Sequence, residues 1–585
     1  MTEKGHKLDE ARDLHSKLPA ASPAPSAQMR LLSSRFLPGA LILLPNLFFC
    51  ASPYIADTMV YADSVTRHRN GQMAQPFQPL WDFGHLLWRP LGALLAPLFF
   101  ATVPDSLGHA LRIKLAFGFL AVNMLAGLGI AALLYDLFRR LAGWKAAALL
   151  TFGLSWSGGF LMYTLSGSSY ITGLLFEVAA IWLLIPFSGG PPCAGRQWTA
   201  GVLSALGALF WFPYILAIPA VAAVPWAMNA MHPRDGIPAL LRVGLTSAAC
   251  ILAVMGAGAW LAGAQTPAAA AEWFRDASHQ WQQNRQWMRA VSGVPRLMVD
   301  LSRDGVVLKR FTFHDPFHPV SAWDVARLSL WKLAVFYAFL FSVLIMAARA
   351  PRGRPALALL LIAGVPMLLF AIVLFEPSSA ERFLPVLPFL LLACAAGWRG
   401  PLRWVAGGVM AALPVINAPV FIEAFSSEQQ STFAQIEDYD RHAVPADLLV
   451  TVTFSDPLPQ WLEQRIYHRS MRNRVVPTWQ LIEVSTGRAQ GWKERFATRV
   501  LRQWDRAKAD VWIRQGALRG QPDEILRWVE GDNPALRWAD VPAFLNTFDY
   551  DRRTELPVGF SRLARSEKNR RILEPLAAIG GDQTP

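Results

Sequence analysis

Four cysteines in 585 residues are too few and too scattered to staple a fold. Cys50, Cys193, Cys250 and Cys394 fall in apolar runs or a short loop. They lack C-x-x-C spacing and any paired framework, which argues against a structural zinc and a disulfide scaffold. Charge is scarce too: Asp, Glu, Lys and Arg make up 17% of the chain against 53% apolar letters. With a positive mean hydropathy, that balance excludes a soluble multidomain protein. Residues 1–35 lack the short basic-then-apolar layout of a cleaved signal peptide. They read as a disordered cytoplasmic tail, with Arg30 and Arg35 at the inner end of the first helix. From residue 423 to 585 there is no Walker motif, no G-x-G-x-x-G and no G-x-S-x-G, so that stretch gives no chemistry away.

What is abundant is apolar sequence in runs of about twenty residues, the length that crosses roughly 30 Å of hydrocarbon. The net charge of +13 invites a nucleic-acid partner. Lys and Arg gather in short loops between the runs, however, as the positive-inside rule requires, and no nucleic acid is expected. Spans are expected near 36–51, 114–135, 146–163, 170–186, 243–264, 330–347, 356–375, 383–396 and 404–421. A tight pair over 200–228 is broken near Trp211-Phe212-Pro213. The total is about eleven, with the N-terminus inside and the C-terminus outside. Residues 36–422 therefore form a membrane domain with outer loops at 52–111 and 265–328. Helices lying on the membrane surface are expected over 84–100 and around Trp273, Trp281 and Trp287. Residues 166–169 read as a small polar turn outside. Residues 423–585 are soluble in composition and read as an outer α/β domain, with a strand at 448–454 and amphipathic helices at 492–508 and 524–530.

Three clusters of polar residues in outer segments could carry chemistry. The first holds Asp57, where the first span should leave the bilayer, then Asp63, Asp82, His85 and Arg89. A carboxylate there either solvates a loop or serves as a base beside a lipid-borne substrate. The second is the short turn with Glu381-Arg382 ahead of a Leu/Pro-rich run. A guanidinium at an outer helix start can bind phosphate; it can equally anchor the interface or pair with its neighbour. The third lies in the long outer loop. Lys309 and Arg310 are placed to meet an anionic donor, while His314, Asp315 and His318 have spacing that a divalent metal could use. Two histidines in a loop are more often just a loop.

The order of a span, an acid-bearing outer loop, a His-led surface segment and the basic turn at 133–143 resembles the GT-C superfamily of membrane glycosyltransferases. The likeness is to the branch of protein O-mannosyltransferases and aminoarabinose–lipid A transferases, and it covers about residues 36–421. Glu381-Arg382-Phe383-Leu384-Pro385 matches that branch well. Asp57 and Tyr61 match its acidic pair and tyrosine in part, because Thr58 stands where the second acid is expected; its His-Pro segment is replaced by 84–90. The resemblance implies an inverting transfer of sugar from a polyprenyl-phosphate donor (undecaprenyl or dolichyl) to a hydroxyl on a glycan, lipid or protein. Asp57 would be the base, Arg382 with Glu381 would seat the lipid phosphate, and Asp63 or Asp82 would supply a second carboxylate. A multi-pass protein of a bacterial-type inner membrane is the setting it implies.

Two other classes compete. A transporter or flippase of lipid-linked sugars would place polar residues at the bilayer midplane, often in repeated halves; no repeat is visible, and the acids cluster at one face. A non-catalytic assembly protein, binding cell-envelope components through 423–585, is compatible with the membrane part.

Overall fold

A computed structural model of the chain describes residues 35–50, 56–69, 80–103, 111–185, 191–229, 231–277, 289–301, 321–374, 379–422, 447–451, 478–480, 491–514, 518, 539–551 and 560–580. The apolar runs are helices. α1 (Leu37–Phe49) leads to α2 (Ala56–Arg69) and α3 (Trp88–Thr102). Next come the long α4 (Leu111–Ala142), α5 (Trp144–Ser155), α6 (Gly158–Thr164), α7 (Tyr170–Leu184) and α8 (Ala194–Phe210). The rest are α9 (Ile218–Met228), α10 (Pro233–Leu261), α11 (Pro267–Ala277), α12 (Trp331–Arg349), α13 (Gly353–Val373), α14 (Leu387–Ala396) and α15 (Leu402–Phe421). Among the described residues five helical stretches are long and apolar enough to cross a membrane, or six if the bent pair α5–α6 is one span. α1, α7 and the stretch Phe212–Met228 are apolar but shorter. Large side chains such as Phe49, Leu252 and Val415 are at least 70% exposed, a cost in water that hydrocarbon removes.

Two expected spans differ. The run expected at 146–163 bends by 65° between α5 and α6. Gly158 and Gly159 lie at the bend, where a Cβ on either would sit 3.2–3.4 Å from the backbone of 296–300, a tight fit that glycine relieves. The carbonyls freed at the bend are met by amides. Asn46 Nδ2 donates to Ser155 O at 2.7 Å and Asn417 Nδ2 to Trp156 O at 2.6 Å. Such internal satisfaction is what an apolar solvent demands. The run expected at 383–396 is not one long helix. Ala380–Val386 is a 3₁₀ turn and α14 has ten residues, all buried: Pro385 interrupts the α-pattern, and Pro388 falls in the first turn of α14, where proline is tolerated. The hairpin broken at Trp211 is as expected, with a 3₁₀ turn Phe212–Ala217 joining α8 to α9.

Within the bundle α1 packs on α4 and α5, α8 lies between α7 and α10, α15 packs on α5 and α12, and α2 and α3 cover the start of α4. The opposite end of α4 is locked to α7: Asp136 is fully buried, pairs with Arg139 at 3.2 Å and with Arg140, and accepts from Trp182 Nε1 at 2.9 Å.

The C-terminal stretch contains a four-stranded sheet, β1 (Leu448–Thr451), β2 (Thr478–Gln480), β3 (Val511–Arg514) and β4 (Phe560–Arg562), in the order β2-β1-β3-β4. β1 is parallel to β2 and β3, and β4 is antiparallel to β3, with Trp512 opposite Arg562. Leu448, Val450, Val511 and Ile513 alternate along their strands and share a core with Phe496, Val500 and Trp504 of α16 (Trp492–Asp505) and Leu573 of α17 (Glu567–Gly580). Period two in the strands and 3.6 in the helices place one apolar face of each against the other. The helix expected at 524–530 lies outside the described residues.

Candidate active site

Asp57 sits in the first turn of α2, where free amides and the helix dipole favour a carboxylate. Its Oδ2 accepts a hydrogen bond of 2.7 Å from the Tyr170 hydroxyl, from the start of α7. Thr58 beside it is fully buried, and its Oγ1 accepts from Gly167 N at 2.8 Å. The residue in the second acid's place is thus a staple between α2 and the turn at 166–169.

That turn is buried in the protein. Ser166, Ser168 and Ser169 are fully buried. Asn123 of α4 donates to Ser166 O at 2.7 Å and also to Ser168 O, and Trp88 Nε1 donates to Gly167 O at 2.9 Å. Ser169 Oγ lies 2.7 Å from Nδ1 of His85. Every polar group of the turn named here has a partner, which is the condition for burying it.

Around this point the candidates converge. The His85 ring meets Tyr61 at 5.3 Å and Tyr170 at 5.8 Å. Arg89 lies 5.5 Å over the Tyr61 ring and pairs with Asp82 at 2.9 Å, both largely buried. Asp82 also accepts from Gly84 N at 3.2 Å, capping the short 3₁₀ turn that carries His85. From the far side of the sequence comes Glu381, which accepts from the Tyr163 hydroxyl of α6, a partner 218 residues away. Arg382 stands 3.7 Å from Glu381 and 5.7 Å over the Trp211 ring. Tyr170 closes the ring, edge-on to both Tyr163 and Trp211 at 4.9 Å. Asp57 and Glu381, each held by a tyrosine hydroxyl, therefore share an aromatic cluster with the Arg382 guanidinium. It lies at the end of the bundle opposite Arg139 and Arg140.

Asp63 lies six residues beyond Asp57 on α2, and its side chain is outside the described residues. So are Lys309, Arg310, His314, Asp315 and His318. Among the described residues no group of three or more His, Cys, Asp or Glu is placed to hold a metal. Sequence reasoning passed over Tyr163, Tyr170 and Trp211, since an aromatic in an apolar run reads as core. The only cue was their position beside the polar turn and the Pro213 break.

No family model matches the chain, and no curated protein matches it. Structural neighbours are ArnT and the AglB oligosaccharyltransferase, both GT-C superfamily members. ArnT from Cupriavidus metallidurans, bound to undecaprenyl phosphate, is 15% identical with a TM-score of 0.49, over 93% of this chain and 99% of that one. The Archaeoglobus fulgidus oligosaccharyltransferase with Zn and sulfate is 16% identical with a TM-score of 0.44, over 86% and 70%. AglB from the same organism, with an inhibitory peptide and a dolichol-phosphate, is 15% identical with a TM-score of 0.42, over 93% and 75%. Likeness at this level establishes no shared activity.

Proposed function

We propose that this chain is an inverting membrane glycosyltransferase that moves a sugar from a polyprenyl-phosphate donor to a hydroxyl acceptor at the outer face of the membrane. The observation that carries the reading is the meeting of Asp57 with Glu381 and Arg382 through Tyr170, Tyr163 and Trp211 at one end of the bundle. Such a transfer needs a base and a cation in one place. Asp57 takes the acceptor proton as the acceptor oxygen attacks C1 of the sugar. The C1–O bond to phosphate breaks with inversion, and the lipid phosphate leaves against the Arg382 guanidinium, which presents paired donors. Glu381 orients Arg382; a second carboxylate would come from Asp63 or from Asp82, which pairs with Arg89.

The rest of the reading follows from the same layout. The proposal includes about eleven spans, with the N-terminus inside and the 423–585 α/β domain outside a bacterial-type inner membrane, as the loop charges suggest. A divalent metal would have its ligands at His314, Asp315 and His318. A transfer assay in membranes, with a panel of polyprenyl-phosphate sugars, tests the function. Asp57→Asn should lower turnover by at least the roughly 10²-fold that general-base help supplies, with expression unchanged. Near-parental turnover of a well-folded Asp57→Asn protein would remove Asp57 from this role.

One observation favours a second reading, transport of lipid-linked sugar. Glu177, midway along α7, is 2% exposed, and among the described residues neither carboxyl oxygen has a hydrogen-bond partner. Intramembrane acids often mark transport pathways. Donor movement across vesicles that persists in Asp57→Asn and stops in Glu177→Gln would favour that reading.

A further inference from the structure

Tyr170, far from Asp57 in the sequence, meets it in the fold. The hydroxyl reaches across 113 residues to the carboxylate, and little about Tyr170 is left to move. It is 5% exposed. Its ring is wedged edge-on between Tyr163 and Trp211, each at 4.9 Å, with His85 at 5.8 Å. Its carbonyl accepts from the Tyr214 hydroxyl at 2.8 Å. Ser169, the residue before it, is tied to His85. A phenol held this firmly spends no further rotamer freedom when it donates, so its hydrogen bond can define where the carboxylate points. The same device recurs at Glu381 with Tyr163, and the two tyrosine rings touch.

We propose that Tyr170 is the positioning residue of Asp57, holding the ionised carboxylate in the orientation that meets the acceptor hydroxyl. The catalytic consequence rests on Asp57 being the base; the hydrogen bond and its effect on the carboxylate do not. A donor bonded to a carboxylate favours its ionised form, and losing the donor lets it take up a proton at higher pH. Tyr170→Phe keeps the ring and its packing and removes only the hydroxyl.

Two measurements test the idea. In the transfer assay, using the polyprenyl-phosphate sugar that supports turnover, Tyr170→Phe should lower kcat roughly 10-fold or more, as expected for a lost charged hydrogen bond. Donor KM should stay within about twofold, and the acid limb of the pH profile should move up by about one pH unit. Independently of any substrate, an infrared titration of the solubilised chain should show the same upward displacement, with the Asp57 carboxyl band assigned by difference against Asp57→Asn. Should Tyr170→Phe fold poorly, 3-fluorotyrosine at position 170 replaces it. That stronger donor should move the carboxyl band to lower pH. An unmoved band in the folded variant overturns the proposal, whatever kcat does. Asp57→Asn turnover near the parent's would sink the catalytic reading alone; a silent band would sink the positioning role alone.

Discussion

Arg382 shows how one residue can be read two ways from sequence and one way from its neighbours. As part of Glu381-Arg382 it passes for an interfacial pair, and the two are indeed 3.7 Å apart. Its guanidinium also lies over Trp211, which contacts Tyr170 and hence the Asp57 group. A planar fork suits both the indole face and a phosphate, and an ammonium reproduces neither geometry. Arg382→Ala should therefore raise donor KM by roughly 10- to 150-fold, the worth of a lost charged hydrogen bond. Arg382→Lys should recover only part of that, with acceptor KM nearly unchanged. Donor titrations that superimpose on the parent's would reduce Arg382 to a packing group. Arg382 was legible as a candidate because a charge among apolar residues stands out. Tyr163, Tyr170 and Trp211 were not, because nothing local distinguishes an aromatic ligand from an aromatic filler.

At the scale of elements, the turn at 166–169 decides whether the site exists at all. It joins α6 to α7 and is gripped by Thr58 of α2, Trp88 of α3 and Asn123 of α4. Gly167 is what lets these three close in: a Cβ there would come within 2.4 Å of Thr58 Cγ2 and 2.9 Å of Phe119 Cβ. Gly167→Ala should therefore destabilise the protein by about 1–3 kcal/mol through overpacking. It should also lower turnover more than a remote change of equal cost, because α2 carries Asp57. Thermal unfolding beside the transfer assay checks both, and parental values in each would show that α2 gives way without consequence. The run 146–163 teaches a related lesson. Its apolar content and length predicted one span, yet Asn46, Asn417 and two glycines support a 65° bend there. A hydropathy window averages over such a bend and cannot see it.

For the whole molecule the open quantity is orientation. With an odd number of spans, the N-terminus and the C-terminal sheet face opposite sides; an error of one reverses the second. Arg571, on α17 with a side chain 78% exposed, offers a reporter, and the native Cys193 is exposed just after the expected span 170–186, the fourth from an inner N-terminus and so ending inside, and offers its opposite. In intact spheroplasts an impermeant thiol reagent should label Arg571→Cys, while Cys193 reacts only after lysis. Labelling of both on the same side would show that the span count is off by one. The proposed outer placement rests on the charge of the loops, since long domains cross largely regardless of their own charge.

Composition and run length were enough to determine that apolar helices dominate the described residues up to 422. Helix location depends on local pattern, and α4, α10, α12, α13 and α15 lie close to where that pattern put them. The break at Trp211 and the strand at Leu448 were legible for the same reason, as proline and β-branched runs act within a few residues. What only the tertiary structure decided is which distant groups meet. Tyr170 reaches Asp57 across 113 residues and Tyr163 reaches Glu381 across 218. Thr58, placed where an acid was expected, became a structural staple. These outcomes depend on close packing between helices far apart in the chain, where one glycine or one hydroxyl changes the fit, and no pattern confined to a single segment encodes them.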